Sequence, residues 1–241
     1  MDAIVVAGHT PGRTDALLEY AGAENKALIP IAGKPMIKWV TDALAGSDHV
    51  ERLVIVGLDE SCGIDFGRKP VACVPDQGRL IKNLWAGAAR ALEDTRNRDR
   101  ILVCACDIPL ITTAIVDDHI AAMLATQHDV YYTVVDRTAM LARFPSSRRT
   151  YTHLRGEVVC GGDLNMASSK AVETNTELWD DLLEARKSAL RQARRVGFLT
   201  LWQLVTRMLS ISAAERRAEK ILGVKCRAIR TPHAEIGMDV D

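Results

Sequence analysis

The chain has 241 residues, 48% of them hydrophobic, and its 31 basic side chains balance 31 acidic ones. That balance excludes a global field able to recruit nucleic acid or an anionic membrane, so any anion must be held by a local site. No apolar run is long enough to span a bilayer, and the cysteines at 62, 73, 104, 106, 160 and 226 show neither C-x-x-C spacing nor a nearby histidine; a zinc site is not indicated, and a reducing cytoplasm is the expected compartment.

The first predicted element is a strand, Ala3 to Ala7, which exits through Gly8-His9-Thr10-Pro11-Gly12-Arg13. Glycines at a strand exit let main-chain N–H groups approach an anion, and Arg13 and Lys26 would add positive charge around a polyphosphate. The loop is not a Walker A motif, which needs G-K-[ST], nor a G-x-G-x-x-G dinucleotide fingerprint. By itself it is equally consistent with a plain turn. Gly33-Lys34-Pro35 reads as a helix start, followed by an apolar stripe of Met36, Ile37, Val40 and Leu44. Strands follow at Arg52 to Val56 and Val71 to Val74, then a second stripe of Leu80, Ile81, Leu84, Ala88 and Leu92. An unbroken apolar strand, Ile101 to Cys106, runs into Asp107-Ile108-Pro109-Leu110. A carboxylate at the carboxyl end of a buried strand stands where an open α/β sheet gathers its ligand chemistry, and the proline stops the strand. Asp107 is therefore expected to bind a metal; the alternative is that it caps the helix starting near Thr112. That helix carries Val116, Ile120, Met123 and Leu124, and the strand Val130 to Val135 follows.

The second half is less regular. Tyr151 to Cys160 has β character and ends in Gly161-Gly162, with Arg148, Arg149 and Tyr151 just upstream as candidates to meet a substrate, an ordinary loop being as consistent. Leu178, Leu182, Leu183 and Leu190 mark a long helix whose basic side (Arg186, Lys187, Arg191, Arg194, Arg195) reads as a solvated face. Ser212 and Glu215 fit a capping box for a helix closed by Gly223, and two final strands are expected at Lys225 to Ile229 and Ala234 to Val240. Trp39, Trp85, Trp179 and Trp202 are assigned to packing, and His119 and His128 have no partner visible in sequence. Strands alternating with helical stripes predict a three-layer α/β/α sandwich on a mostly parallel, Rossmann-like sheet, and without repeat or linker the chain reads as one domain, 1–241.

Taken in order, Val5-Val6-Ala7-Gly8 to Gly12-Arg13, Lys26-Ala27-Leu28-Ile29-Pro30-Ile31-Ala32-Gly33-Lys34-Pro35-Met36 and Cys106-Asp107-Ile108-Pro109-Leu110 carry a wider pattern. With Asp76-Gln77-Gly78, Asn83, Gly161-Gly162-Asp163 and Gly237-Met238-Asp239-Val240-Asp241, the set resembles the nucleotidyltransferases of the molybdenum cofactor guanylyltransferase-like (MobA-like) group. That group shares the GT-A-like fold with sugar-nucleotide pyrophosphorylases and cytidylyltransferases. The resemblance implies that residues 1–135 bind nucleotide and 136–241 bind the acceptor. Gly8, Gly12, Arg13 and Lys26 would hold the triphosphate, with Ala7 beside them in the nucleotide site and His9 either contacting phosphate or filling the turn. Asp76, Gly78 and Asn83 would lie near base and ribose, and Gly161, Gly162 and Asp163 would face the acceptor, joined by Arg149 on the strength of its place upstream. Asp107 would bind Mg²⁺, with Asp241 as second ligand and Asp239, on the same face of the last expected strand, in reserve. Three departures stand out: His9 where the group has a second glycine, Asp163 where an asparagine is expected, and an end at Asp241 that suggests a chain cut short.

The implied reaction is attack by an acceptor oxyanion on the α-phosphorus of a nucleoside triphosphate, CTP or GTP, releasing pyrophosphate, with Arg13, Lys26 and Asp107 as catalytic residues. Mg²⁺ is the expected cofactor, the partners are the nucleotide and a small-molecule acceptor, no nucleic acid or membrane is expected, and a homodimer is left open. Two alternatives remain: a glycosyltransferase of the same fold using a nucleotide sugar, and a nucleotide-sensing module without turnover.

Overall fold

The computed structural model describes residues 1–8, 16–93, 99–174 and 206–240. In chain order its first half contains β1 (Asp2–Val6), α1 (Ala16–Ala21), the short β2 (Pro30–Ile31) and β3 (Lys34–Pro35), α2 (Met36–Gly46), β4 (Arg52–Val56), β5 (Val71–Val74), α3 (Leu80–Leu92), β6 (Arg100–Ala105) and α4 (Thr113–Leu124). There follow β7 (Val130–Asp136), α5 (Arg137–Arg143), β8 (Thr152–Leu154), β9 (Glu157–Gly161), β10 (Leu164–Ser168), α6 (Ser169–Glu173), α7 (Ile211–Leu222) and β11 (Cys226–Thr231).

Successive strand residues point to opposite faces, and here both faces are apolar, as expected of a parallel sheet covered on both sides. Ala3, Val5, Leu53 and Ile55 enter one core with Ile37, Val40 and Leu44 of α2 and Val116, Ile120 and Met123 of α4. Ile4, Val54 and Val56 enter the other, with Ala88 and Ala91 of α3. Each fully buried Leu or Ile contributes about 1.5–3 kcal/mol of transfer free energy. Among the described residues nine strands form one mixed sheet, ordered β5-β4-β1-β6-β10-β7-β9-β8 with β11 alongside β7. β5, β4, β1 and β6 are mutually parallel, whereas β10 runs antiparallel between β6 and β7. The three-layer, mostly parallel core is the expected one; the short β10 had no sequence signal strong enough to stand out.

A buried ion pair ties the layers together. Arg52 Nε donates to Asp2 Oδ2 at 2.7 Å, and its Nη2 donates to the Ala91 carbonyl at 3.0 Å and the Arg90 carbonyl at 3.3 Å. One guanidinium thus neutralises a fully buried carboxylate on β1 and satisfies carbonyls in the last turn of α3.

Four sequence expectations change. The sheet-facing side of α3 is Asn83, Gly87, Ala88 and Ala91, whereas Leu80 is half exposed and with Ile81, Leu84 and Trp85 lines a groove of about 420 Å³. Small residues let this helix approach the sheet closely, so bulk was a poor guide to its inner face. The residue capping α7 is Ser210, whose hydroxyl accepts from Ala213 N at 3.2 Å; Glu215 instead accepts from Ala228 N of β11 at 2.9 Å. Ala234–Gly237 is a 3-10 turn rather than the start of a strand, so Asp239 has no strand face to share with Asp241. Pro35 is the residue before α2, paired into a two-strand ribbon, rather than inside the helix. The helix expected around Leu178 to Leu190, with Trp179 and Trp202, lies outside the described residues. Among the described residues no helix is long and apolar enough to cross a membrane.

Candidate active site

The carboxyl ends of β1, β4, β5 and β6 meet at one edge of the sheet. Gly57, just past β4, has φ 102°, and a Cβ there would lie 2.4 Å from Gly8 N. A Cβ on Gly8 would in turn lie 2.0 Å from Asn83 Nδ2 and 2.9 Å from Asp76 Oδ1. Asn83, buried on the first turn of α3, donates to Asp76 Oδ1 at 2.9 Å and accepts from Gln77 N at 2.7 Å, while Gly78 N also donates to Asp76 Oδ1 at 2.8 Å. Asp76, Gly78 and Asn83 are thus one hydrogen-bonded unit pressed against Gly8.

Asn25 is a positioning residue that sequence reasoning missed. Its Nδ2 donates to the Ala7 carbonyl at 2.9 Å and the Gly57 carbonyl at 3.3 Å, and its Oδ1 accepts from Ala27 N at 2.9 Å. The available signal was an Asn at the entry to a short turn, a preferred capping position. Asn25 therefore pins the backbone on which Lys26 stands. Lys26 Nζ lies 2.9 Å from Asp107 Oδ2, with the two side chains 19% and 20% exposed. Helix capping does not explain Asp107, because Thr112 itself caps α4, accepting from Ile115 N at 3.4 Å.

The chain end comes to the same place. Val240 N donates to the Asp107 carbonyl at 2.9 Å, and Asp163 N donates to the Ile236 carbonyl at 2.9 Å. Arg149 Nη1 forms an ion pair with Asp239, and its Nη2 lies 3.6 Å from Asp163 Oδ2 and 3.3 Å from the Gly161 carbonyl. Arg149, Gly161, Asp163 and Asp239 thus form one cluster, with Gly162 anchored to the Thr133 carbonyl at 2.9 Å. Arg149 Nε and Tyr151 Oη are buried without a hydrogen-bond partner among the described residues. His9, Gly12, Arg13 and Asp241 lie outside the described residues.

The flanking thiols are chemically quiet. Burial, and next the Asp107 charge, pushes the Cys106 thiol up to about 12, and burial raises Cys104 well above its ordinary value, so neither is a thiolate at neutral pH. His119 is held down to about 4, chiefly by burial, and its Nε2 lies 2.7 Å from Thr133 Oγ1. A hard divalent cation suits the donor type here, a carboxylate at a strand end, because Mg²⁺ takes one or two protein carboxylates and completes its shell with phosphate oxygens and water. Among the described residues no group of three His, Cys, Asp or Glu forms an all-protein cage.

Residues 3–197 match the MobA-like NTP transferase domain. A hypothetical transferase from Thermus thermophilus is 35% identical and superposes with a TM-score of 0.85, over 100% of this chain and 96% of that one. CMP:2-keto-3-deoxy-manno-octonic acid synthetase, solved with CTP, superposes at a TM-score of 0.54 over 100% of this chain and 92% of its own, and at 14% identity shares the fold alone. The bifunctional protein GlmU of Sinorhizobium fredii is 37% identical over 95 residues, 38% of this chain, and the match spans 21% of GlmU. With the family domain covering most of its length, the chain belongs to the MobA-like NTP transferase family and is a nucleotidyltransferase.

Proposed function

We propose that this protein transfers a nucleoside monophosphate from a nucleoside triphosphate to a phosphorylated, or similarly oxyanionic, small molecule in the presence of Mg²⁺, with release of pyrophosphate. The observation that carries this reading is the Lys26–Asp107 pair, with Asn25 next to Lys26 bonded to the Ala7 carbonyl just before Gly8, which packs on the Asp76–Asn83 unit. A fixed cation and a fixed carboxylate at one strand-end edge suit a polyphosphate with its divalent counter-ion. CTP and GTP are the first nucleotides to test, and the CTP bound by the synthetase of the same fold supports that choice.

Main-chain groups of Ala7, Gly8, His9 and Gly12 would follow the phosphates, with Asp76, Gly78 and Asn83 beside base and ribose. The acceptor oxyanion attacks the α-phosphorus, and the bond to the bridging oxygen breaks with its electron pair leaving on pyrophosphate. A phosphate acceptor is already ionised at neutral pH, so positioning and charge neutralisation suffice and no general base is needed. Lys26 neutralises charge on the α-phosphate, Arg13 holds the departing pyrophosphate, and Arg149 with Gly161, Gly162 and Asp163 orients the acceptor. Asp107, with Asp241 or Asp239, would hold Mg²⁺, which supplies further neutralisation of the phosphates.

The test is a pyrophosphate-release screen crossing the four nucleoside triphosphates with a panel of phosphorylated acceptors, with and without Mg²⁺. Release that requires Mg²⁺ and one nucleotide–acceptor pair is expected. Turnover only with nucleotide sugars would replace this reading with glycosyl transfer, and tight nucleotide binding without any turnover would replace it with sensing.

A further inference from the structure

Three carboxylates of the site, Asp107, Asp163 and Asp239, already face a cation. Asp107 Oδ2 lies 2.9 Å from Lys26 Nζ, Asp239 is ion-paired with Arg149, and Asp163 lies 3.6 Å from the same guanidinium. The Lys26–Asp107 pair is no loose surface contact: both side chains are about four-fifths shielded, and Asn25 fixes the turn from which Lys26 extends. A divalent cation arriving alone would have to displace the ammonium from the carboxylate and break a charge pair that is four-fifths shielded, which is costly. A triphosphate changes that balance, because its oxygens give Lys26 a new anionic partner while they supply most of the ligands Mg²⁺ prefers.

We infer that Lys26 occupies the cation's charge position at Asp107 in the nucleotide-free protein, so that the site takes up little divalent metal alone and gains it together with the triphosphate. The inference rests on the Mg²⁺-dependent transfer proposed above and adds an order of assembly to it. Nucleotide and metal bind with positive coupling because one ammonium exchanges a carboxylate for a phosphate. Adventitious divalent cations are kept from an empty active site by the residue that later serves the phosphates.

Mn²⁺ is the probe, with free ion counted by electron paramagnetic resonance on the intact chain, with and without a non-hydrolysable α,β-methylene analogue of CTP or GTP, after subtracting Mn²⁺ bound by the analogue alone. The wild-type protein is expected to bind Mn²⁺ weakly alone and at least about tenfold more tightly with the analogue. Lys26→Met, and Lys26→Gln as a second neutral variant, are expected to bind Mn²⁺ without nucleotide at least about tenfold more tightly than wild type, the scale on which a neighbouring opposite charge biases a carboxylate. Lys26→Arg keeps the wild-type behaviour, and adding Asp107→Asn to Lys26→Met abolishes the gain. Equal nucleotide-free Mn²⁺ affinity in wild type and both neutral variants, with all of them tightening on the analogue, would overturn the exchange while leaving the transfer reading intact. No Mn²⁺ binding under any condition, analogue included, would overturn both.

Discussion

The contact between Gly8 and Asn83 makes Gly8→Ala a sharp probe of the proposed nucleotide-binding edge. The added methyl would lie 2.0 Å from Asn83 Nδ2, whereas ordinary contact begins near 3.4 Å, so loop or side chain must give way by roughly 1.4 Å. Asn83 is 1% exposed and fixed in α3, and a displacement of that size breaks its bonds to Asp76 (2.9 Å) and Gln77 (2.7 Å). One bond is charge-assisted and the other neutral, together worth about 2.5–4 kcal/mol. Shared evenly between the fold and the nucleotide site, that raises the nucleotide dissociation constant about 10- to 30-fold. Calorimetric titration with the preferred nucleotide, alongside urea unfolding, separates the two shares. Unchanged nucleotide affinity, whatever happens to stability, would refute the idea that this contact shapes the nucleotide site.

Three further outcomes follow from the same geometry. Lys26→Ala should lower kcat more than nucleotide affinity, as a contact strengthened in the transition state does; equal losses in single-turnover and binding measurements would reduce Lys26 to a binding residue. Asp2→Asn strands the buried Arg52 guanidinium and should cost about 3–5 kcal/mol in urea unfolding without altering turnover per folded molecule; a loss below about 1 kcal/mol would mean the pair contributes little. His119 is neutral in both folded and unfolded chains above pH 6.5, but as pH falls toward about 4 only the unfolded chain takes the proton. Stability should therefore fall by about 1.4 kcal/mol per pH unit across that window, and about 3 kcal/mol in all. His119→Gln should flatten this acid limb, and an unchanged limb would assign it to other groups.

How much of this was legible depended on whether the signal was local. The strands Arg52–Val56 and Val71–Val74 and the α2 stripe were readable because short apolar, valine-bearing runs and a 3.6-residue period are local patterns. Asp107 was conspicuous for a similar reason, a lone charge after six apolar residues. Its partner was not, since Lys26 lies 81 positions away and only the fold brings them together. The Asp2–Arg52 pair, 50 positions apart, was invisible on the same grounds. Residues 234–240 misled because Ala234, Ile236 and Met238 alternate with polar residues as a strand would, yet the segment turns into a 3-10 helix whose Ala234 and Ile236 are buried and leaves no ladder for Asp239. Ser210 lost the cap to Ser212 on paper because the S-x-x-E spacing was present, whereas the real Glu215 reaches across to β11. The arrangement of Arg149 between Asp163 and Asp239 depends on three loops and had no sequence signature beyond its place before the glycine pair.

The claim on which the functional reading turns is that Asp107, at the end of β6, stands at the reacting phosphates. Its most direct test is the rate of Mg²⁺-dependent pyrophosphate release by Asp107→Ala against wild type, with the best nucleotide–acceptor pair and with folding verified by thermal unfolding. A folded variant slowed by about 10²–10³-fold is expected, the scale of losing one electrostatic catalytic group. A folded variant releasing pyrophosphate at the wild-type rate would contradict the account.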